Sequence, residues 1–159
     1  TIVTIQIDML LAEKFGMEYV DVDGSKRRPY IIHRTSLGCY ERTLAYLIEK
    51  YAGAFPLWLA PEQVRILPIA DRHHDRSFEI KGELEKMGMR VTVDDRSEKT
   101  GYKIRESRLQ KLPYWIIVGD KEVEDGTVSV SKRGQGDIGS MNFDDFVAML
   151  KKEIDEKVG

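Results

Sequence analysis

The sequence predicts an α/β domain of about 100 residues, a mostly parallel sheet with helices on both faces, preceded by a shorter antiparallel piece. Three observations carry this. From residue 64 onward strand-like and helix-like stretches alternate in the order β-α-β-α-β-β-α, the pattern of a sheet crossed over by helices. One continuous apolar run, Tyr114-Trp115-Ile116-Ile117-Val118, has the signature of a central strand covered on both faces. Ahead of these, residues 1–53 read as an antiparallel sheet that runs into one helix.

Taken in order, residues 2–9 alternate and place Val3, Ile5 and Ile7 on one face of a half-buried strand. Tyr19-Val20-Asp21-Val22 and Tyr30-Ile31-Ile32-His33 read as two short strands joined through the turn signal Asp23-Gly24. The spacing of Leu44, Leu47, Ile48 and Tyr51 predicts a helix over about 37–52, ended by Gly53. Three strands and one helix have too little area to form a core alone. Residues 54–61 hold two prolines and several large apolar groups, so they read as a packed connector.

Beyond it, 64–69 is a strand and 72–87 a helix with Phe78, Leu84 and Met87 inward and Gly88 at its end. Residues 89–93 form the next strand and 102–111 a short helix that stops before Leu112-Pro113. After the central run, 127–131 alternates as a strand exposed on one side. The last helix has Asn142 as N-cap, Asp145 at its third position, and an apolar stripe of Phe143, Phe146, Val147, Leu150 and Ile154.

Composition narrows the function. With 42% hydrophobic and 33% charged residues among 159, the chain can pack a core and is not a disordered tail. A net charge of −2 gives no global basic field for nucleic acid. The single cysteine, Cys39, excludes a disulfide framework and fits a reducing, cytoplasmic setting. No apolar run approaches the length of a membrane span. The opening Thr1-Ile2-Val3 reads as mid-strand and lacks an initiator Met, so the expectation is a piece of a longer protein.

Gly134-Gln135-Gly136-Asp137-Ile138-Gly139 matches the dinucleotide fingerprint in letters, but only one helix remains after it, so a flexible turn is expected. His73 and His74 are adjacent and point about 100° apart on a helix, which suits solvated side chains better than a metal pair. Residues 96–133 hold nine basic and six acidic groups, so the local excess is either a solvated helix face or a phosphate-contacting surface.

The stretch His33-Arg34-Thr35-Ser36-Leu37-Gly38-Cys39-Tyr40-Glu41-Arg42 resembles the third signature motif of class II aminoacyl-tRNA synthetases. With Tyr51-Ala52-Gly53-Ala54-Phe55-Pro56-Leu57-Trp58, Lys103-Ile104-Arg105-Glu106, Gly119-Asp120-Lys121-Glu122 and Gly136-Asp137-Ile138-Gly139-Ser140-Met141, the whole chain resembles the bacterial threonyl-tRNA synthetases. That resemblance implies that 1–53 is the end of a catalytic domain, 54–61 a connector and 62–159 an anticodon-binding domain on a mixed five-stranded sheet.

It also implies roles. Arg42 would stack on the ATP adenine, Gln6 would line the adenylate pocket, and Cys39 would lie beside that pocket. His33 would be one of three ligands to a zinc that grips threonine, and the other two would have to come from outside this chain. Arg96, Ser97, Lys99, Lys111, Glu122, Ser131, Lys132 and Arg133 would meet the anticodon stem-loop of threonine tRNA. Many relatives carry Asn where Ser97 stands and Arg where Ser131 stands, so a fork donor suited to a guanine edge is missing here.

ATP with Mg, zinc, threonine and a homodimer are implied for the full-length ligase. The 159 residues alone are expected to be inactive and to bind no cofactor tightly. A prolyl-type class II synthetase and a free-standing α/β module for a small ligand or protein partner are the alternatives.

Overall fold

A computed structural model describes residues 4–35 and 39–158. They fall into two compact units, Thr1–Glu49 and Lys50–Gly159. The expectations that touch Val3, Leu37 and Gly38 lie outside the described residues.

In the first unit β1 (Thr4–Asp8) pairs antiparallel with β4 (Ile31–Thr35), which sets Gln6 directly opposite His33. The Asp8 carboxylate ends β1 by accepting from the Leu10 and Leu11 amides at 2.9 Å each. Those bonds satisfy the first free donors of a one-turn helix, α1 (Leu11–Lys14), and hold the Asp8 carboxyl below the usual range.

The expected hairpin is corrected: β2 (Tyr19–Val20) pairs with β3 (Lys26–Arg27), not with the 30–33 stretch. Asp23 accepts from the Ser25 amide and hydroxyl at 2.9 and 2.6 Å, and Arg27 pairs with both Asp21 and Asp23. This closes the turn at once and leaves 31–35 to reach β1. Ile5 and Ile7 are 66% and 62% exposed rather than half-buried, because a two-stranded ladder has no second layer within its own unit. The helix α2 (Tyr40–Tyr51) ends where Ala52 and Gly53 both turn left-handed, at φ +48° and +74°.

The second unit starts with β5 (Val64–Pro68), a single 3-10 turn over Asp71–His73 and α3 (His74–Lys86). It continues through β6 (Val91–Val93), α4 (Thr100–Leu109), β7 (Tyr114–Val118) and α5 (Asp120–Asp125). It closes with β8 (Thr127–Lys132), β9 (Gly136–Asn142) and α6 (Phe143–Asp155). The strands form one mixed sheet in the order β6-β5-β7-β8-β9, parallel across the first three and antiparallel across the last three.

Val64, Ile66, Tyr114, Ile116, Val118, Val128 and Val130 point to one face and meet Ile80 and Leu84 of α3 and Phe143, Phe146, Val147 and Leu150 of α6. Trp115, one residue out of phase with Tyr114 and Ile116, points to the other face, where the Arg108 guanidinium of α4 lies 5.9 Å from its ring. The sheet is therefore covered on both sides, as an α/β architecture requires.

Three details depart from the sequence expectation. The Gly134–Gly139 stretch is a turn only at its start, because Gly136 opens β9, which pairs with β8 past a bulge at Val130/Ser131. On α3 the inward face is Ser77, Ile80 and Leu84, at i, i+3 and i+7, so Phe78 and Met87 turn outward at 47% and 43% exposure. Asn142 does precede α6, but its side chain makes no capping bond.

Candidate nucleic-acid interface

The chain leaves β5 toward α3 on one face, and leaves β6 toward α4 on the other. Adjacent parallel strands whose exits part to opposite faces leave a crevice beyond their carboxyl ends, the usual place for a ligand in an open α/β sheet. Here it is a cleft of about 390 Å³. Pro68, Ile69, Ala70 and Asp71 line one side, and Arg96, Ser97 and Lys99 the other.

The second of these loops is built around Asp94. The Lys103 ammonium, buried under the loop, donates to the Asp94 carbonyl at 2.7 Å. Both Asp94 carboxylate oxygens accept from Arg96, at 2.8 Å from Nε and 2.7 Å from Nη2, and Arg96 also pairs with Glu106. The Arg96 fork holds the Asp94 carboxyl below its ordinary range, and the two carboxylates push the guanidinium pKa up. Arg96 and Lys103 are thus spent on shaping the loop, while Ser97 and Lys99 stand exposed at its tip.

The third piece of this edge follows β7. The Gly119 amide donates to Glu122 Oε2 at 3.0 Å, which satisfies one free donor at the start of α5 and engages one oxygen of the half-buried Glu122 carboxylate. A Cβ at Gly119 would lie 2.6 Å from Ile69 Cδ1 and 3.1 Å from Glu122 Oε2, so only a glycine lets both side chains close on this turn.

Asp120, the next residue, accepts from Arg72 at 2.8 and 2.6 Å and from His73 at 2.9 Å. His73 is buried, at 2% exposure, against the expectation that it is solvated. Its Nδ1 accepts from the Ala70 amide at 3.2 Å, so Nε2 carries the hydrogen and is the donor to Asp120. Two donors on one carboxylate hold the Asp120 carboxyl far below its usual value.

The remaining sequence-predicted contacts lie elsewhere. Ser131 sits across from Trp115 and Lys132 across from Tyr114, at the amino end of β7. Lys132 pairs with Glu153 at 2.8 Å and lies 5.1 Å from the Tyr114 ring. Arg133 donates to three carbonyls, those of Lys111 at 2.5 Å, Ala54 at 3.0 Å and Phe55 at 2.8 Å. The Lys111 ammonium donates to the Ala52 carbonyl. Ser131 is only 6% exposed.

The five-residue β7 spans about 13 Å, so Ser97, Lys99 and Glu122 at one edge are well separated from Lys111, Lys132 and Arg133 at the other. The structure does not bring the eight residues together. The local basic excess of 96–133 is largely used up in internal contacts.

In the first unit Gln6 and His33 face each other across the ladder, and Arg42 is exposed in the first turn of α2 beside an exposed Cys39. Zinc requires three protein ligands in an open site. His33 Nε2 lies 3.7 Å from Asp8, and among the described residues no three His, Cys, Asp or Glu side chains gather to hold a metal. These residues alone do not fit the ion.

Residues 63–153 match the anticodon binding domain family. Threonine–tRNA ligase of Clostridium perfringens (strain SM101 / Type A) is 57% identical over 97% of this chain and 24% of its own length. That of Clostridioides difficile (strain 630) is 52% identical over the same shares. The chain thus spans about a quarter of the length of these relatives. A solved structure of the RNA binding domain of threonyl-tRNA synthetase from Cryptosporidium parvum Iowa II superposes with a TM-score of 0.77 at 31% identity, covering 94% of this chain and 38% of that one.

Proposed function

This chain belongs to the anticodon binding domain family, and from that premise we propose that it binds the anticodon stem-loop of threonine tRNA through the carboxyl edge of its mixed sheet. The observation that carries the reading is the crevice beyond the carboxyl ends of β5 and β6, where Ser97 and Lys99 stand exposed, with Glu122 on the turn that follows the neighbouring β7, all inside the matched residues.

Single-stranded loops are read by their splayed base edges, and this edge offers the groups for it. Glu122 can accept from the N1–H and N2–H₂ pair of a guanine, a hydroxyl at Ser97 can donate or accept, and Lys99 is free to take a phosphate. Because Arg96 and Lys103 are committed inside the loop, few phosphates are neutralised, so affinity is modest and its salt dependence shallow. Lys111, Lys132 and Arg133 serve chiefly to hold the opposite edge together, and Ser131 offers a base no fork in the place of an arginine.

The chain's relatives are threonine–tRNA ligases several times its length. In a protein of that length, Gln6, His33, Cys39 and Arg42 would belong to the catalytic domain that attaches threonine to tRNA at the expense of ATP, in the cytoplasm and as a homodimer. The zinc and the ATP with Mg of that reaction are assigned to the longer protein, with His33 as one ligand. The 62–159 region would be the tRNA-reading part.

The test is a fluorescence titration of the 159-residue chain with the threonine anticodon stem-loop and with one altered at the middle anticodon base. Tighter binding of the unaltered loop supports the reading. Equal affinities would sink the specificity claim.

A further inference from the structure

We infer that His73 and Asp120 are positioning residues for base discrimination, a buried imidazole gripping an exposed carboxylate in an anchor that sets where Glu122 presents its own carboxylate. The inference rests on the reading of Glu122 as a base-reading group.

Six residues are far too few for a helix to persist alone, and α5 buries none of its side chains, so apolar packing does not fix it. What ties it down is polar. Asp120, its first residue, is gripped by His73 Nε2 at 2.9 Å and forked by Arg72 at 2.8 and 2.6 Å, across a sequence separation of 47 and 48 residues.

His73 is the rigid half of this grip. It is 2% exposed, and its second nitrogen is fixed by the Ala70 amide at 3.2 Å, so the ring has one tautomer and one orientation. Arg72 is by contrast two-thirds exposed. The anchor lies one residue from the Gly119 amide, which binds Glu122 Oε2 at 3.0 Å. It also joins the β5 exit loop, one wall of the crevice, to the turn that carries the reader. A group that must tell one base edge from another has to be held to within a fraction of an ångström, and a second shell of locked partners is how such precision is obtained.

The established use of a buried histidine with a carboxylate in catalysis does not apply, since neither group faces a reacting atom. Their chemistry here is orientation. If the anchor is released, α5 can drift with Glu122 on it, while Lys99 on a different loop still meets phosphate. Discrimination should therefore fall with little change in nonspecific affinity.

The experiment is a double-mutant cycle on the full 159-residue chain, with His73→Phe, Glu122→Gln and the pair, read as the affinity ratio between the threonine stem-loop and the loop with an altered middle base. His73→Phe should lower the ratio about tenfold, leave affinity for the altered loop within about twofold, and add nothing further once Glu122 is already Gln. Asp120→Ala, at an exposed side chain, should copy it, and keeps the test open if His73→Phe does not fold.

Ratios that fall additively in the pair, or an unchanged ratio in both His73→Phe and Asp120→Ala, would overturn the anchor while leaving Glu122 as reader. An unchanged ratio in Glu122→Gln alone would overturn the reading of Glu122, and the inference with it.

Discussion

Replacing Arg133 by alanine separates a structural cation from a tRNA-binding one. Its guanidinium, whose pKa is lowered by burial, donates to the carbonyls of Lys111, Ala54 and Phe55. A hydrogen bond from a charged donor contributes about 1.5–3 kcal/mol when its acceptor is left dry, and less where water can take its place. The three acceptors lie at a partly exposed edge, so a loss of about 2–3 kcal/mol is reasonable for the set. For a chain of this size that corresponds to a melting temperature lower by roughly 5–10 °C.

The assay pairs thermal melting followed by circular dichroism with stem-loop titrations at several salt concentrations. Each single-strand phosphate contact removed flattens the logarithmic salt slope by about 0.7. Arg133→Ala should lower the melting temperature and leave that slope unchanged, whereas Lys99→Ala should flatten the slope and leave melting unchanged. Unaltered melting with a flatter slope for Arg133→Ala would refute the assignment of Arg133 to the structural edge.

Three other outcomes are expected. Gly119→Ala puts a Cβ against Ile69 Cδ1 and Glu122 Oε2, so stem-loop discrimination should drop several-fold while melting moves little, because the end of the Ile69 side chain can yield; an intact affinity ratio would contradict this. Asp94, whose carboxyl is lowered from its ordinary 3.8 by Arg96, binds fewer protons folded than unfolded, so its contribution is complete above that value and is lost as pH falls below it through the folded pKa. Melting from pH 6 to 3 should therefore fall less steeply for Asp94→Asn than for the parent chain, and parallel curves would count against the Arg96–Asp94 pair. Asn142→Ala should cost under about 0.5 kcal/mol by urea unfolding, because Asn142 makes no capping bond; a loss near 1 kcal/mol, usual for a working N-cap, would show that the bond forms in solution.

The parts of the fold that were legible in the sequence are those where burial wrote a period. The run at 114–118 is a central strand because both its faces are covered, and the stripe of Phe143, Phe146, Val147 and Leu150 packs as its spacing predicts. What the sequence hid lacked an apolar period. α5 reads Asp-Lys-Glu-Val-Glu-Asp and is fixed by an ion pair and a hydrogen bond to residues nearly fifty positions away, which no local window can see. β9 carries three positive-φ glycines at or near it and looks like a loop until its pairing with β8 is known.

The candidate site was legible in residue types and much less in roles. Lys103 and Arg96 look like surface cations, yet one is buried on a carbonyl and the other is shared by two carboxylates. A signal for Lys103 did exist: it stands four residues before Ser107, and these two face the sheet together on a helix with no strong apolar stripe. His73, for which the sequence suggests a solvated side chain, sits where a strand exit meets a helix start, a position from which a side chain can turn inward.

The most direct test of the carboxyl-edge account is an amide chemical-shift map of the 159-residue chain titrated with the threonine anticodon stem-loop. The largest shifts are expected at Ser97, Lys99, Gly119 and Glu122, with Lys111, Lys132 and Arg133 little changed. Shifts concentrated at the second group, with the first undisturbed, would contradict it.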